Sequence, residues 1–262
     1  MAEQPLEPIS TIASTSPNTD TMEVHHHPDM HPKKKKWTEY ILEFVMIFLA
    51  VTLGFFAESL REHLGENQRA KQYAQSMAAD FTADTLSLHQ LITYSALKIK
   101  NIDSLEESFR AQRSRTNDSI LYTRALYLIS TSQFDDINGT YQQILHAGSL
   151  RFFDQELVNN LNGFDATALK LRLMEEWENK FLYEKVNPQA QQMFNYKVFD
   201  DLRAGSSIGH DMYLHKADND DVDIVLNQAS LIKHLRERQL VQHQALLDKA
   251  DKILERLHQQ YP

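Results

Sequence analysis

A run of mostly apolar residues near the N-terminus constrains this chain more than any other feature. It reads ILEFVMIFLAVTLGFFA, from Ile41 to Ala57, and it follows four consecutive lysines, Lys33 to Lys36. A helix from Tyr40 to Ala57 would be roughly 27 Å long, close to the thickness of the hydrocarbon core of a bilayer. Apolar side chains fall on every face of that helix, unlike in an amphipathic surface helix. The sequence therefore predicts a transmembrane helix over residues 37–58.

The flanks of the run favour the same interpretation over two alternatives. Trp37 and Tyr40 precede the run and Phe55 and Phe56 end it, as in the aromatic belts at membrane interfaces. The first alternative is the core helix of a soluble protein, which passes the same length test. The second is a cleaved signal peptide, but Phe55 stands where a cleavage site needs a small residue. We therefore expect an uncleaved signal anchor.

The distribution of basic residues predicts the orientation of the span. Four lysines adjoin its N-terminal end, whereas Arg61 is the first basic residue after it. Under the positive-inside rule, the N-terminus lies in the cytoplasm and the residues after the span lie outside it. We expect a single-pass protein of the inner membrane with a periplasmic C-terminal domain. The inverted topology, with a cytoplasmic adaptor domain, stays open.

Composition and periodicity predict an all-α protein with an N-terminal transmembrane helix and a helical-bundle domain. Residues 1–36 form a His- and Lys-rich tail, expected to be disordered and cytoplasmic, and residues 59–262 form the extracytoplasmic domain. The whole chain has only seven glycines, and apolar residues recur at helical spacings through long first and last helices. The net charge of -9 argues against a nucleic-acid partner.

Two local signals refine the boundaries of the helices. Gly148 is placed to end a short helix in the left-handed conformation. Asp221 or Asp223 is placed to cap the last helix, where a negative charge is favourable. Trp177, Phe181 and Tyr183 lie on one predicted helix and are expected to pack in the core or between helices.

Two segments resemble a known group of proteins. WTEYILEFVMIFLAVTLGFFAESLREH, behind a His- and Lys-rich tail, and TYQQILHAGSLRFFDQELVNNL, from Thr140 to Leu161, are similar to uncharacterised single-span membrane proteins of Bacteroidota. The resemblance implies an anchored, mostly helical domain, in which a strand-like turn follows the short helix at residue 148. It implies no activity and no site residues.

The histidines of the tail are weak candidates for a metal site. His25, His26, His27 and His31 lie within reach of one ion, and imidazole is a common ligand of transition metals. Pro28 lies among them and prevents a helix from aligning the rings. We therefore expect a low-complexity tail and no dedicated metal or cofactor.

Within the span, one carboxylate and one pair of small residues are candidate contact sites. Glu43 lies about one turn inside the predicted span, where its side chain can reach the interface or pair with Lys36. Alternatively, Glu43 contacts the helix of a partner. Ala50 and Gly54 form a small-xxx-small pair that would allow two spans to approach closely, so homo-oligomers through the span are a hypothesis.

The remainder of the sequence carries no catalytic signature. It has no glycine-rich phosphate loop, no HExxH, no GxSxG and no cysteine. We therefore expect a non-enzymatic module that interacts with an unknown protein partner as a scaffold or sensor. The alternative is an anchored enzyme that uses the loop at 204–223, where Ser206, Ser207, His210, Asp211 and His215 lie close in sequence.

Overall fold

The computed structural model describes residues 36–111, 118–206, 212–216 and 218–261. These residues form helices and connecting segments, with no β-strand among them, which confirms the predicted all-α class with long first and last helices. The helices are α1 (Trp37–Ala111), α2 (Asp118–Ile129), α3 (Gly139–His146), α4 (Gln155–Phe181), α5 (Asn187–Met193), α6 (Tyr196–Ala204) and α7 (Asn219–Gln260). A 3-10 helix at Ser149–Phe152 precedes α4, and a π-helix at Leu182–Val186 follows it.

The chain divides into two units, Met1–Ala57 and Glu58–Pro262. In the first unit, the described residues are the start of α1 and its preceding residue, and every one of them is exposed. Its large apolar side chains are exposed too, including Phe48 at 57% and Phe55 at 74%. The described residues of this unit form a single helix, and none of them covers these side chains.

The second unit is built around α1, α4 and α7. Their buried residues alternate spacings of three and four, the heptad pattern of helices that pack along a shared seam. The pattern covers residues 70, 74, 77, 81, 84, 88, 91, 95, 98, 102, 105 and 109 of α1; 157, 161, 164, 168, 171, 175 and 178 of α4; and 225, 229, 232, 236, 239, 243, 246, 250, 253 and 257 of α7. Three helices thus share one core.

Contacts between these helices give their directions. Phe81 of α1 packs on Phe164 of α4, and Lys98 further along α1 bonds Glu178 further along α4, so the two helices run parallel. Helix α7 runs antiparallel to α4, because Arg236 in its first half bonds Glu178 near the end of α4. At the other end, α7 pairs through Arg256 with Asp154, which caps the start of α4.

Two separate apolar clusters stabilise the second unit. One joins the residues of α1 between Ala74 and Leu91 to α3, α4 and the second half of α7. The other joins Ile102, Leu105 and Phe109 of α1 to α2, the π-helix, α5, α6 and the first half of α7. Burial of such side chains contributes about 25 cal/mol per Å² of apolar surface. The segment between the two clusters holds the candidate site.

The local predictions have mixed outcomes. Gly148 adopts φ +65° after α3, which confirms the left-handed conformation. A 3-10 helix follows it in place of the strand-like turn that the resemblance implied. The cap of α7 was wrongly assigned to Asp221 or Asp223, because Asp218 caps the helix and accepts a bond of 2.9 Å from the amide of Asp221.

The aromatic residues at the end of α4 and in the π-helix also differ from their prediction. Trp177 is 47% exposed and Tyr183 is 73% exposed, so neither belongs to the core. Phe181 packs partly against the second apolar cluster, and the Trp177 ring stacks on it at 5.4 Å. Hydrophobic character alone suggested burial, but these residues fall outside the three-and-four spacing that defines the buried face.

Candidate functional site

A layer of polar and charged side chains interrupts the apolar core in the middle of the three long helices. All its members continue the heptad pattern of their helices and are at most 2% exposed, which is rare for ionisable groups. We call it the charged layer; it comprises Ser95 and Lys98 of α1, Glu175 and Glu178 of α4, and Arg236, Gln239 and His243 of α7.

The centre of the charged layer is a carboxylate held between two cations. Lys98 Nζ donates to Glu178 Oε1 at 2.7 Å, and an Arg236 amino nitrogen lies 2.8 Å from Oε2. Burial lowers the pKa of Lys98 to about 8, although Glu178 acts in the opposite direction. Burial would raise the pKa of Glu178, but the two adjacent cations outweigh it and lower this pKa. This direction favours the carboxylate form of Glu178.

The same cations bind the backbone of an irregular segment. We call residues 130–138, between α2 and α3, the strap. Lys98 Nζ donates to the carbonyl oxygen of Ser130 at 2.6 Å. Arg236 lies 3.5 Å from the carbonyl oxygen of Ser132 and donates to its hydroxyl at 3.3 Å. A connecting segment with buried backbone groups needs such partners, because it lacks the internal hydrogen bonds of a helix.

Two buried carboxylates accept hydrogen bonds from the strap. Glu175 accepts from the amide of Phe134 at 3.2 Å, and Asp84 accepts from the amide of Ile137 at 3.0 Å. Cations of the bundle thus meet strap oxygens, and carboxylates of the bundle meet strap amides. This complementarity is a physical reason for ionisable residues at core positions, since charged partners make stronger hydrogen bonds than neutral ones.

Several buried polar atoms of the charged layer have no hydrogen-bond partner among the described residues. They are Ser95 Oγ, both amide atoms of Gln239, His243 Nδ1 and Arg236 Nε. The other ring nitrogen of His243 lies 3.3 Å from Glu175 Oε1. Unpaired buried polar groups oppose folding, so the exclusion of water from the charged layer has a cost in free energy.

One acidic cleft lies beside the strap. Asp80, Asp84, Asp136 and Asp165 line it together with Tyr141. Burial raises the pKa of Asp84 to about 6, aided by the charges of Asp136 and Asp80 and opposed by the Ile137 amide. Arg172 pairs with Asp136 at 2.5 Å. Among the described residues, no group of His, Cys, Asp or Glu side chains is arranged to hold a metal ion.

The candidates in the N-terminal part of the chain are placed as follows. His25, His26, His27 and His31 lie outside the described residues. Glu43, Ala50 and Gly54 are exposed on α1. A Cβ atom on Gly54 would meet nothing within 4 Å, so its surface is open to a neighbouring helix. The contact hypothesis for these three residues stays a prediction.

The candidates in the loop at 204–223 are only partly described. Ser207, His210 and Asp211 lie outside the described residues, whereas Ser206 and His215 are exposed. The backbone amide of His215 donates to the carbonyl oxygen of Met193 at 2.9 Å, which fixes this part of the loop to the end of α5. The described residues bring no catalytic pair together here, so they offer no support for the enzyme hypothesis.

Reasoning from sequence missed the charged layer. The apolar stripes predicted for the first and last helices skip Lys98, Arg236 and His243, since a hydrophobic pattern omits charged residues. The signal that would reveal them is the unbroken alternation of three and four, which continues through these residues. The layer holds the strap; its charged groups contact one another and the main chain.

Comparisons of the chain with protein-family models, with curated proteins and with solved structures gave no match.

Proposed function

We propose that this protein is a single-pass membrane protein whose helical domain acts as an interaction module, either a scaffold or a sensor without catalytic activity. The observation that carries the proposal is the exposure of the apolar segment at the start of α1. Among the described residues, α1 is the one helix whose length and composition would allow it to cross a membrane, and none of its apolar segment is buried.

Exposure of apolar surface to water is unfavourable, and this supports the proposed membrane span. Soluble monomers rarely expose contiguous apolar patches beyond a few hundred Å², and such patches mark interaction or membrane surfaces. Here large side chains are exposed on all sides of the segment, including Phe44, Phe48 and Phe56. A core helix of a soluble protein would be covered by its own chain, but the described residues leave this one uncovered.

The distribution of charge supports a finer proposal for the location. Four lysines precede the segment, so the proposed orientation has a cytoplasmic N-terminus, a span in the inner membrane and the helical domain in the periplasm. Membership of the single-span Bacteroidota group belongs to the same proposal and rests on the two similar segments. A helical domain anchored in this way would encounter partners in the cell envelope.

An exposed apolar patch on α4 supports the interaction role. Leu169, Leu173 and Trp177 recur at a spacing of four on the face of α4 away from its heptad seam, and they are 52%, 59% and 47% exposed. Aromatic and aliphatic side chains of this kind are enriched at the centres of protein interfaces. A photo-reactive residue at 173 should yield a discrete cross-linked species in cells, and one at the exposed Lys252 should not. No adduct at 173 would remove this patch from the proposal.

Topology is tested by labelling, which the absence of native cysteine makes clean. In intact spheroplasts, a membrane-impermeant maleimide should label Ser119→Cys, an exposed position of α2, and should not label Ser10→Cys in the tail. Ser95→Cys, buried in the charged layer, serves as the control for a folded domain. The opposite pattern would establish a cytoplasmic adaptor domain, and equal labelling of a soluble fraction would exclude the membrane anchor.

A further inference from the structure

The strap differs from the helices around it in how it is held. Its backbone groups bind side chains of α1, α4 and α7, through Lys98, Arg236, Glu175 and Asp84. Each of these four side chains is buried to at least 98%. The strap therefore lies against the bundle through charge-to-backbone hydrogen bonds, with little regular structure of its own.

A single apolar side chain fixes the middle of the strap. Phe134 is 3% exposed and its ring packs edge-on against Phe164 at 6.4 Å, within the first apolar cluster. Apart from Phe134, the residues from 131 to 138 are exposed or half-buried, and Ile137 is 48% exposed. The side chain of Asp136 is 6% exposed, but it is polar and pairs with Arg172 of α4. Removal of the strap from the bundle would thus expose little apolar surface apart from one phenylalanine.

If the strap left the bundle, hydration of the charged layer would compensate for much of the stabilisation that its bonds to the strap provide. Ionisable groups in a core carry a desolvation penalty that water relieves. Ser95, Gln239, His243 and Arg236 carry atoms without partners among the described residues, and these atoms would also gain hydrogen bonds from water. The apolar side chains of the same core have no desolvation penalty to relieve and no unpaired polar atoms, so water would not stabilise them in this way.

From this asymmetry we infer that the strap is a latch: residues 130–138 leave the bundle as a unit while α1, α4 and α7 stay packed. Phe134 sets how often the latch opens, and the charged layer determines where it closes. The open form presents Lys98, Arg236 and Glu175 to solvent beside the site that Phe134 occupied. The domain therefore has two conformations that differ in one segment, independently of any membrane.

Hydrogen exchange of the full chain in detergent micelles tests the latch. The useful probes are the amides of Phe134 and Ile137, because both are bonded to buried carboxylates and a merely structural strap would protect them as strongly as the core. In the wild-type protein they should exchange at least about tenfold faster than the amide of Leu171 in α4. Equal rates would overturn the inference.

Two pairs of variants identify what holds the latch. Phe134→Ala should accelerate exchange at the strap amides by about tenfold more and leave Leu171 unchanged, whereas Ile137→Ala, at an exposed side chain, should change neither. Glu175→Gln weakens the acceptor of the Phe134 amide and should accelerate that amide by a few-fold, about three to ten. Its neighbour Glu176 is exposed, so Glu176→Gln is the matched control.

The pattern across probes separates the outcomes. If the strap and Leu171 accelerate together in Phe134→Ala or Glu175→Gln, the strap and bundle open as one cooperative unit and the latch does not exist. If Phe134→Ala fails to fold, two measurements still test the latch: exchange in Glu175→Gln, and the comparison of the strap amides with Leu171 in the wild type. Neither alters the apolar core.

Discussion

The start of α1 and the centre of the helical bundle both depart from the usual distribution, in which apolar side chains are buried and charged ones are exposed. They depart from it in opposite ways. Between Trp37 and Ala57 large apolar side chains are exposed, whereas at the centre of the bundle Lys98, Glu178 and Arg236 are almost completely buried. Folded proteins avoid both arrangements unless something compensates them. In the first region the proposed compensation is lipid, which lies outside the chain. In the second it comes from the chain itself.

The comparison shows that burial follows position in the heptad more closely than chemical type. Lys98 occupies a core position because the spacing from Leu91 and Ser95 places it there, and its charge is then matched by Glu178 and by the strap. Leu173 is exposed because it lies off that seam. The four predictions below test these compensations, in order of decreasing expected effect.

The largest effect is expected from charges in the exposed apolar region. Met46→Arg combined with Leu49→Arg should abolish membrane association, because each arginine costs about 3 kcal/mol at the centre of a span. Carbonate extraction and fractionation measure the outcome. Leu169→Arg with Leu173→Arg, at exposed leucines of α4, should leave the protein in the membrane fraction. Retention of the Met46 and Leu49 variant in that fraction would contradict the lipid explanation.

The second prediction removes the shared anion of the charged layer. Glu178→Ala leaves Lys98 and Arg236 buried without their carboxylate, which should lower the free energy of unfolding by roughly 3–5 kcal/mol. Chemical denaturation of the full chain in micelles measures this loss. Glu176→Ala, two residues earlier in a surface position, should change stability by less than about 0.5 kcal/mol. A small effect at Glu178 would mean that water already enters the layer.

Asp84 provides a third test, since this buried charge has an amide partner in place of a cation. Its pKa is raised from 3.8 to about 6, so the folded state binds the proton more tightly than the unfolded state. The contribution of Asp84 to stability is present below pH 4 and is lost as the pH rises through 6. Asp84→Asn keeps an oxygen acceptor for Ile137 and should stabilise the protein at pH 7–8 by about 1 kcal/mol.

The pH dependence checks the cause of that stabilisation. The difference between Asp84→Asn and the wild type should shrink as the pH falls from 7 to 4, and melting curves across that range measure it. Asp135→Asn, at an exposed position of the strap, should show no such trend. A difference that does not change with pH would show that burial of the Asp84 charge is not the source.

The smallest effect concerns contact between spans. Gly54→Leu fills the open surface next to Ala50 and should weaken self-association through α1, by on the order of 1 kcal/mol. A membrane two-hybrid assay measures the change, and Leu53→Ile, which leaves the small pair intact, is the control. An unchanged signal would eliminate dimerisation through this pair.

The sequence predicted the parts of the fold that apolar periodicity determines. The all-α class and the long end helices followed from stripes such as Met77, Phe81 and Leu88, and Gly148 marked the end of α3. Two exposed aromatic residues were predicted less well, because Trp177 of α4 and Tyr183 of the π-helix were judged by residue type and not by their register.

The candidate site required information that local patterns do not contain. Lys98 and Glu178 are 80 residues apart in sequence, and Arg236 and Ser132 are 104 apart. The heptad spacing could have indicated that Lys98 and Arg236 face the core, but only the tertiary arrangement shows that the strap passes beside them. Long-range partners of this kind depend on topology, which single-sequence periodicity leaves undetermined.

The π-helix at Leu182–Val186 has a consequence for how this chain can change length. Buried residues run 178, 182, 186, 190 through it, a spacing of four where the heptad alternates three and four. Loss of one residue there would change the spacing to four, three and four, so an ordinary α-helical turn would replace the π-turn and keep Ala190 and Met193 in the second apolar cluster. Gain of one residue would instead rotate the later side chains of α5 by about 100°, so this stretch should tolerate a single deletion more readily than a single insertion.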